Sequence, residues 1–343
     1  MSVTIKDIAK RANVSHATVS RALRRHPSIS QSTSLRIQKI ADEMAYVPNT
    51  VARGLKTKRS QILGVVVRRI DDPYFGSVLQ GIESIVTAKD YSLFLAVSNR
   101  DVDREKEIIR LMSERRVDGV IFCSTQVGSE HEAQLKRFGV PSVLINNQGE
   151  EDIAYSVYHD DVSSSKEVTQ HLIELGHTRI GFLGHSKSGR ITIDRYAGYC
   201  EALKENNIPI HKNYFVEAPN GLAEGGAIGA KAFLALSKRP TAIFCYNDVM
   251  AIGALQTLRN AGLRIPEDCS ITGFDNTPVS KYATPPLTTY DQPRFEIGVE
   301  AAKMMLNLLD EKEEKEEEAS KIVTLIGNLI IRQSTASIKL NPT

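Results

Sequence analysis

From residue 62 onward, short aliphatic and β-branched runs alternate with stretches whose apolar residues recur every three to four positions. Residues 62–67, 93–97, 119–123, 142–146, 180–183, 215–217, 242–245 and 270–273 read as strands. Between them, patterns such as Val78, Leu79, Ile82, Ile85 and Val86, or Val249, Ile252, Leu255 and Leu258, read as amphipathic helices. Strands separated by helices cannot pair as hairpins, so the pattern requires an α/β fold with parallel sheets covered on both faces. Residues 61–343 exceed the roughly 100–200 residues of a single core, and two lobes are the expected solution.

The first sixty residues follow a different rule. Thr4 stands before Ile5, Ile8, Ala9 and Ala12, which share one helical face. Asn13 and Val14 break that pattern, Ser15 can cap a second helix, and Val19, Ala22 and Leu23 form its inward stripe. His16, Ala17, Ser20 and Arg21 are left facing outward. After a turn over residues 27–30, Ser30 can cap a third helix with Ile37, Ile40, Ala41 and Met44 at helical spacing. Pro48 then disfavours helix at Val47, Asn49 can cap, and residues 50–56 suffice for about two turns, which is marginal for an isolated helix in water.

Charge separates the two regions. Residues 1–60 hold 12 basic and 3 acidic side chains, and the remainder 31 basic and 38 acidic, so a net charge of +2 conceals a basic head on an acidic body. That polarity suits a protein that neutralises phosphates with one end only.

The run Val14-Ser15-His16-Ala17-Thr18-Val19-Ser20-Arg21 and the run Asn49-Thr50-Val51-Ala52-Arg53-Gly54-Leu55 together resemble bacterial transcription regulators of the LacI/GalR family. The resemblance implies a helix-turn-helix DNA-binding domain over 1–47, a hinge helix and linker over 48–60, and a two-lobed body over 61–343 similar to a type I periplasmic sugar-binding protein. On that pattern the near lobe comprises about 61–161 and 290–322, and the distal lobe about 162–289 and 323–343. The second helix would enter the major groove, with His16, Ala17 and Arg21 reading bases and Thr4, Ser15, Thr18 and Ser20 closer to phosphates. The chemistry agrees: Arg21 offers the fork that matches guanine O6 and N7, and Ala17 a methyl suited to thymine. Asn49, Ala52, Arg53, Leu55 and Lys56 would form the hinge, with Leu55 wedged into a base step of the minor groove.

In open α/β sheets, ligands bind beyond the carboxyl ends of the strands. Those ends carry polar sets: residues 71–75, 146–148, 194–195, 246–248, 274–276 and 290–292. Carboxylates, amides and an arginine suit sugar hydroxyls, and an aromatic ring can cover a sugar's apolar face. The resemblance implies effector contact at Asp72, Tyr74, Asn147, Arg195, Asn247 and Asp275, with Phe75, Asn146 and Asp291 as further candidates. Structural alternatives stand beside these: Asp72 and Asn147 as helix caps, Arg195 as an ion-pair partner of Asp194 or Asp275, and Phe75 as core.

No Gly-x-Gly-x-x-Gly follows the first strand and no phosphate-loop motif occurs; Gly225-Gly226 reads as a helix start. Cys123, Cys200, Cys245 and Cys269 include no Cys-x-x-Cys pair, so neither metal nor other cofactor is expected. The charged N-terminus and the lack of a long apolar run point to a cytoplasmic protein with no membrane partner. The acidic run 310–318 reads as a solvated connection before a strand at 322–326, and no leucine heptad follows residue 331, so a homodimer is the expected unit. The expected function is a DNA-binding transcription regulator, a repressor, whose partners are operator DNA and a small-molecule effector, a sugar. It is not expected to be an enzyme; a sugar-modifying enzyme with an appended DNA head, or a regulator controlled by a protein partner, are the alternatives.

Overall fold

The computed structural model describes residues 3–24, 26–46, 59–99, 101–123, 137–146, 155–310 and 321–338. The chain divides into two compact units, Met1–Ser60 and Gln61–Thr343. In the first, α1 (Ile5–Ala12), α2 (His16–Leu23) and α3 (Gln31–Glu43) enclose a core of Ile8, Ala9, Ala12, Val19, Ala22, Ile37 and Ala41. Ser15 Oγ accepts from Thr18 N at 3.1 Å and Ser30 Oγ from Thr33 N at 3.3 Å, so two of the expected caps form. At α1 the main contact runs from Asp7, whose Oδ2 reaches back to accept from Thr4 N at 2.9 Å and from the Thr4 hydroxyl at 2.7 Å.

The second unit is built on two six-stranded sheets. The first runs β11-β5-β4-β3-β1-β2, from β1 (Ile62–Val67), β2 (Ser92–Val97), β3 (Gly119–Cys123), β4 (Ser142–Ile145), β5 (Tyr155–His159) and β11 (Ile322–Leu325). The second runs β12-β10-β9-β8-β6-β7, from β6 (Ile180–His185), β7 (Phe215–Ala218), β8 (Ala242–Cys245), β9 (Ser270–Phe274), β10 (Thr288–Asp291) and β12 (Asn328–Ile330). Every strand pair is parallel except β10 with β12. Helices cover both faces of each sheet. On the first, α4 (Pro73–Val86) and α10 (Arg294–Asp310) cover one face and α5 (Val102–Glu114) the other. On the second, α8 (Ala223–Leu234) and α9 (Asp248–Asn260) lie opposite α6 (Asp161–Glu174) and α7 (Arg190–Glu205). Burial on both faces explains why the inner strands read as nearly continuous apolar runs.

Gly225 and Gly226 lie in the first turn of α8, and a Cβ on Gly226 would stand 2.0 Å from Met250 O of α9. The pair therefore starts a helix and lets two helices cross at backbone distance.

The chain passes between sheets three times: after β5, after β10 and after β11. The expected lobe limits need correction at two of these. Tyr290 and Asp291 pair with Leu329 and Asn328 in the second sheet, so the return to the near lobe follows Asp291 rather than starting at 290. Ile322–Leu325 pairs in register with Ser156–His159, so the last crossing follows Leu325 rather than residue 322. Backbone ladders fix these boundaries, and the polar side chains of β5 and β10 conceal them in the sequence. Ser156, Thr288 and Thr289 are all buried.

Candidate functional site

The head presents one face of α2. His16, Ala17 and Arg21 are exposed, and neither the His16 ring nor the Arg21 guanidinium takes a partner among the described residues. Exposed Ser15 and half-buried Thr18 bond to each other at 2.9 Å, while half-buried Ser20 receives Arg24 on its hydroxyl and on its carbonyl, both at 3.0 Å. Arg24, absent from the expected set, is thus held along the same helix as a second cation. Thr4 is exposed at the start of α1. Asn49, Ala52, Arg53, Leu55 and Lys56 lie outside the described residues, as does Asn147.

In the body, a cleft between the lobes is lined by Arg68, Tyr74 and Asn146 from the near side, Ile191, Arg195, Tyr246 and Asp275 from the distal side, and Gln292 at the second crossing. Strand ends and the first turns of α4 and α7 bring these residues together. Asp72 caps α4 by accepting from Tyr74 N at 3.1 Å, and its other oxygen accepts from Arg68 Nη2 at 2.7 Å. Its cap role and an ion pair therefore coexist, and Asp72 acts on the cleft through Arg68. Burial disfavours the Arg68 charge, but Tyr246 across the cleft and Asp72 beside it more than compensate and raise its pKa. Asn146 Nδ2 donates to the Tyr74 hydroxyl at 2.6 Å, and burial, with the nearby Asp275, raises the Tyr74 phenol well above its usual value.

Arg195 is 3 % exposed and is the hub of the distal wall. Its Nε donates to Asp161 Oδ1 at 2.8 Å, Nη1 donates to Tyr246 O, and Nη2 lies 3.8 Å from Asp275 Oδ1. The guanidinium sits 3.8 Å above the Phe274 ring centre and 4.8 Å from that of Tyr246. Its tight ion-pair partner is thus Asp161, at the first crossing; Asp194 pairs with Arg190 at 2.9 Å instead. Asp275 accepts from Gln292 Nε2, and burial pushes its carboxyl up to about 8 despite the opposing pull of Arg195. Asp275 also has φ of 105°, a strained backbone at the site.

Three expected contacts fall elsewhere. Asn247 accepts from Met250 N at 2.8 Å as the cap of α9 and donates to Gly221 O at 3.1 Å, so both ends of its amide are engaged away from the cleft lining. Phe75 is 2 % exposed and belongs to the near-lobe core. Asp291 lines a separate cavity of about 300 Å³ at the second crossing, bounded by Ser77, residues 292–296 and residues 326–328. The cleft is narrow, with a cavity volume of about 10 Å³. Among the described residues no His, Cys, Asp or Glu cluster could hold a metal ion, and no helix is long and apolar enough to cross a membrane.

Comparison with known proteins matches residues 4–49 to the model of bacterial regulatory proteins of the lacI family, and residues 169–335 to a periplasmic binding protein-like domain. The HTH-type transcriptional repressor CytR of Escherichia coli (strain K12) is 34% identical over 98% of this chain and 97% of its own. The lac repressor dimer bound to operator and the anti-inducer ONPF superposes with a TM-score of 0.86 at 25% identity, covering 98% of this chain and 100% of that one. A LacI family transcriptional regulator from Enterococcus faecium, solved with bound ribose, gives a TM-score of 0.72 at 29% identity, covering 81% of this chain and 100% of that one. With a helix-turn-helix head matched by the family model and a relative 34% identical over nearly the whole of both chains, the chain belongs to the lacI family of bacterial regulatory proteins.

Proposed function

We propose that the protein is a transcriptional repressor that grips a near-palindromic operator as a homodimer and changes that grip when a small polyhydroxylated ligand occupies the cleft. The observation that carries this reading is the convergence of polar side chains from both lobes: Arg68, Tyr74 and Asn146 face Arg195, Tyr246 and Asp275 across one narrow space. A ligand touching both walls favours one relative orientation of the lobes, because its contacts are not equally good in every arrangement. The lac repressor dimer, caught with operator and anti-inducer, and the ribose-bound regulator support the same pairing of DNA and small ligand here. On the head, His16, Ala17 and Arg21 read bases, and Thr4, Ser15, Thr18 and Ser20 lie toward phosphates, with the segment 49–56 completing the interface.

The cleft chemistry supports binding rather than turnover. Asp72 and Asp161 are held by Arg68 and Arg195, and Asp275 favours its protonated form, so among the described residues of the cleft each carboxyl is engaged or protonated. A thermal-shift screen of mono- and disaccharides and nucleosides identifies the ligand, since binding to the folded state raises apparent stability by mass action. Loss of that shift when Asn146 and Tyr74 are changed to Ala and Phe supports the cleft; an undiminished shift places the ligand elsewhere.

A further inference from the structure

Gln292 lines both the interlobe cleft and the cavity at the second crossing. Its amide nitrogen donates to Asp275, while its Oε1 is buried without a donor. Two residues later, Arg294 is 9 % exposed. Its Nη2 donates to Asn276 O at 2.9 Å, but Nε and Nη1 are buried with no acceptor among the described residues. Buried donors are rarely left so, because each forfeits its hydration without recovering a hydrogen bond.

The other two arginines of the cleft are matched, Arg68 with Asp72 at 2.7 Å and Arg195 with Asp161 at 2.8 Å. Among the described residues no carboxylate lies within ion-pair distance of Arg294. The two carboxyls that feel the Arg294 charge do not bond it: burial pushes Asp275 up to about 8, and the Asp248 oxygens accept from Thr277 and Thr289 instead. What remains unmet beside the cleft is a demand for acceptor oxygens at Arg294 and for one donor at Gln292 Oε1.

We infer that the effector is a polyhydroxylated anion, a sugar acid or a sugar phosphate, whose charged oxygens meet Arg294 and whose hydroxyl donates to Gln292. This rests on the reading that the cleft holds the effector, and it names that ligand's class. The cavity of about 300 Å³ that Arg294 and Gln292 line provides room beside the narrow cleft. It opens on the first turn of α10, the positive end of that helix's dipole, which also favours negative charge. Asp291 and Glu296 stand on the same wall, so a bare anion is repelled there while one carrying hydroxyls can donate to them.

The test measures binding to the full chain by thermal shift and calorimetry with gluconate against glucose, and ribose 5-phosphate against ribose, with acetate and inorganic phosphate as plain anions. One anionic sugar should bind at least about tenfold more tightly than its neutral partner, as expected of charge-assisted hydrogen bonds. A gluconate response selects the sugar acid and a ribose 5-phosphate response the sugar phosphate. Arg294→Gln should bring the preference to near unity, and Arg294→Lys should retain part of it, each variant checked for folding by its ligand-free melting curve. If Arg294→Gln does not fold, the Lys variant decides: it should keep the sign of the preference at reduced size, and an unchanged preference overturns the assignment to Arg294. Neutral sugars binding as tightly as the anions would overturn the inference while leaving the cleft reading intact. Equal shifts from acetate or phosphate alone overturn the polyhydroxylated ligand, and no binding of any of the six overturns the inference and the sugar-cleft reading together.

Discussion

The head and the cleft use polar side chains in opposite ways. On α2, Arg21 and His16 stand exposed and, among the described residues, unengaged, so a partner can be met at little internal cost. In the cleft, Arg68 pairs with Asp72, and Arg195 with Asp161 and more distantly with Asp275, so these charges are already engaged within the protein. The first arrangement suits reading a rigid surface, and the second suits a site whose buried ion pairs resist the loss of either partner.

The sharpest way to break this contrast is to truncate one arginine of each kind. Arg195→Ala leaves the buried Asp161 carboxylate without its cation and should cost about 3–5 kcal/mol of stability in urea unfolding. Arg195→Ala therefore reports folding as much as effector binding; a stability near that of the parent would show that the network is dispensable. Arg21→Ala should leave stability within about 0.5 kcal/mol yet lose roughly 1–3 kcal/mol of operator affinity per half-site, with relaxed discrimination at one guanine. Equal losses on operator and random DNA would assign Arg21 to phosphate contact instead.

A milder change sharpens the cleft side. The Asp275 carboxyl is raised from its ordinary value to about 8, so the folded state retains a proton that the unfolded chain releases above about pH 4. Its contribution is fully present at low pH and declines as pH rises from about 4 to 8. Asp275→Asn, which mimics the protonated form, should therefore raise the melting temperature more at pH 8 than at pH 5. An equal change at both values would show that Asp275 is ionised throughout. The smallest effect belongs to the head: Ser15→Ala removes the cap of α2 and should cost about 1 kcal/mol in thermal unfolding, with no dependence on cleft ligands.

The contrast also explains what the sequence disclosed. The head's core follows one local period, and the residues proposed to meet DNA are those left over, so α1 to α3 and the exposed face of α2 were all readable. The body's alternation revealed parallel sheets, but β5 and β10 carry buried Ser and Thr, with the Thr288 and Thr289 hydroxyls bonded internally, and a polarity pattern cannot distinguish them from loops. Thr289, for instance, donates to Asp248 at 2.5 Å. Because β5 was hidden, Asp161 at its exit was hidden with it. At other strand ends the uncertainty was one residue wide, since neighbouring side chains point to opposite sides: Tyr246 rather than Asn247, and Gln292 rather than Asp291, line the cleft. Arg68 and Arg69 adjoin in sequence, yet only Arg68 is buried against Asp72; Arg69 pairs with Asp71 at the surface.

The central claim is that the cleft and the operator-reading head share a coupling free energy. Its direct test is fluorescence anisotropy of a labelled near-palindromic operator titrated with the wild-type protein, with and without saturating amounts of the ligand that stabilises it. The account predicts that operator affinity changes by about 5- to 150-fold, with a reciprocal change in ligand affinity when operator is present. An operator affinity unchanged by a ligand shown to be bound in the cleft would contradict it.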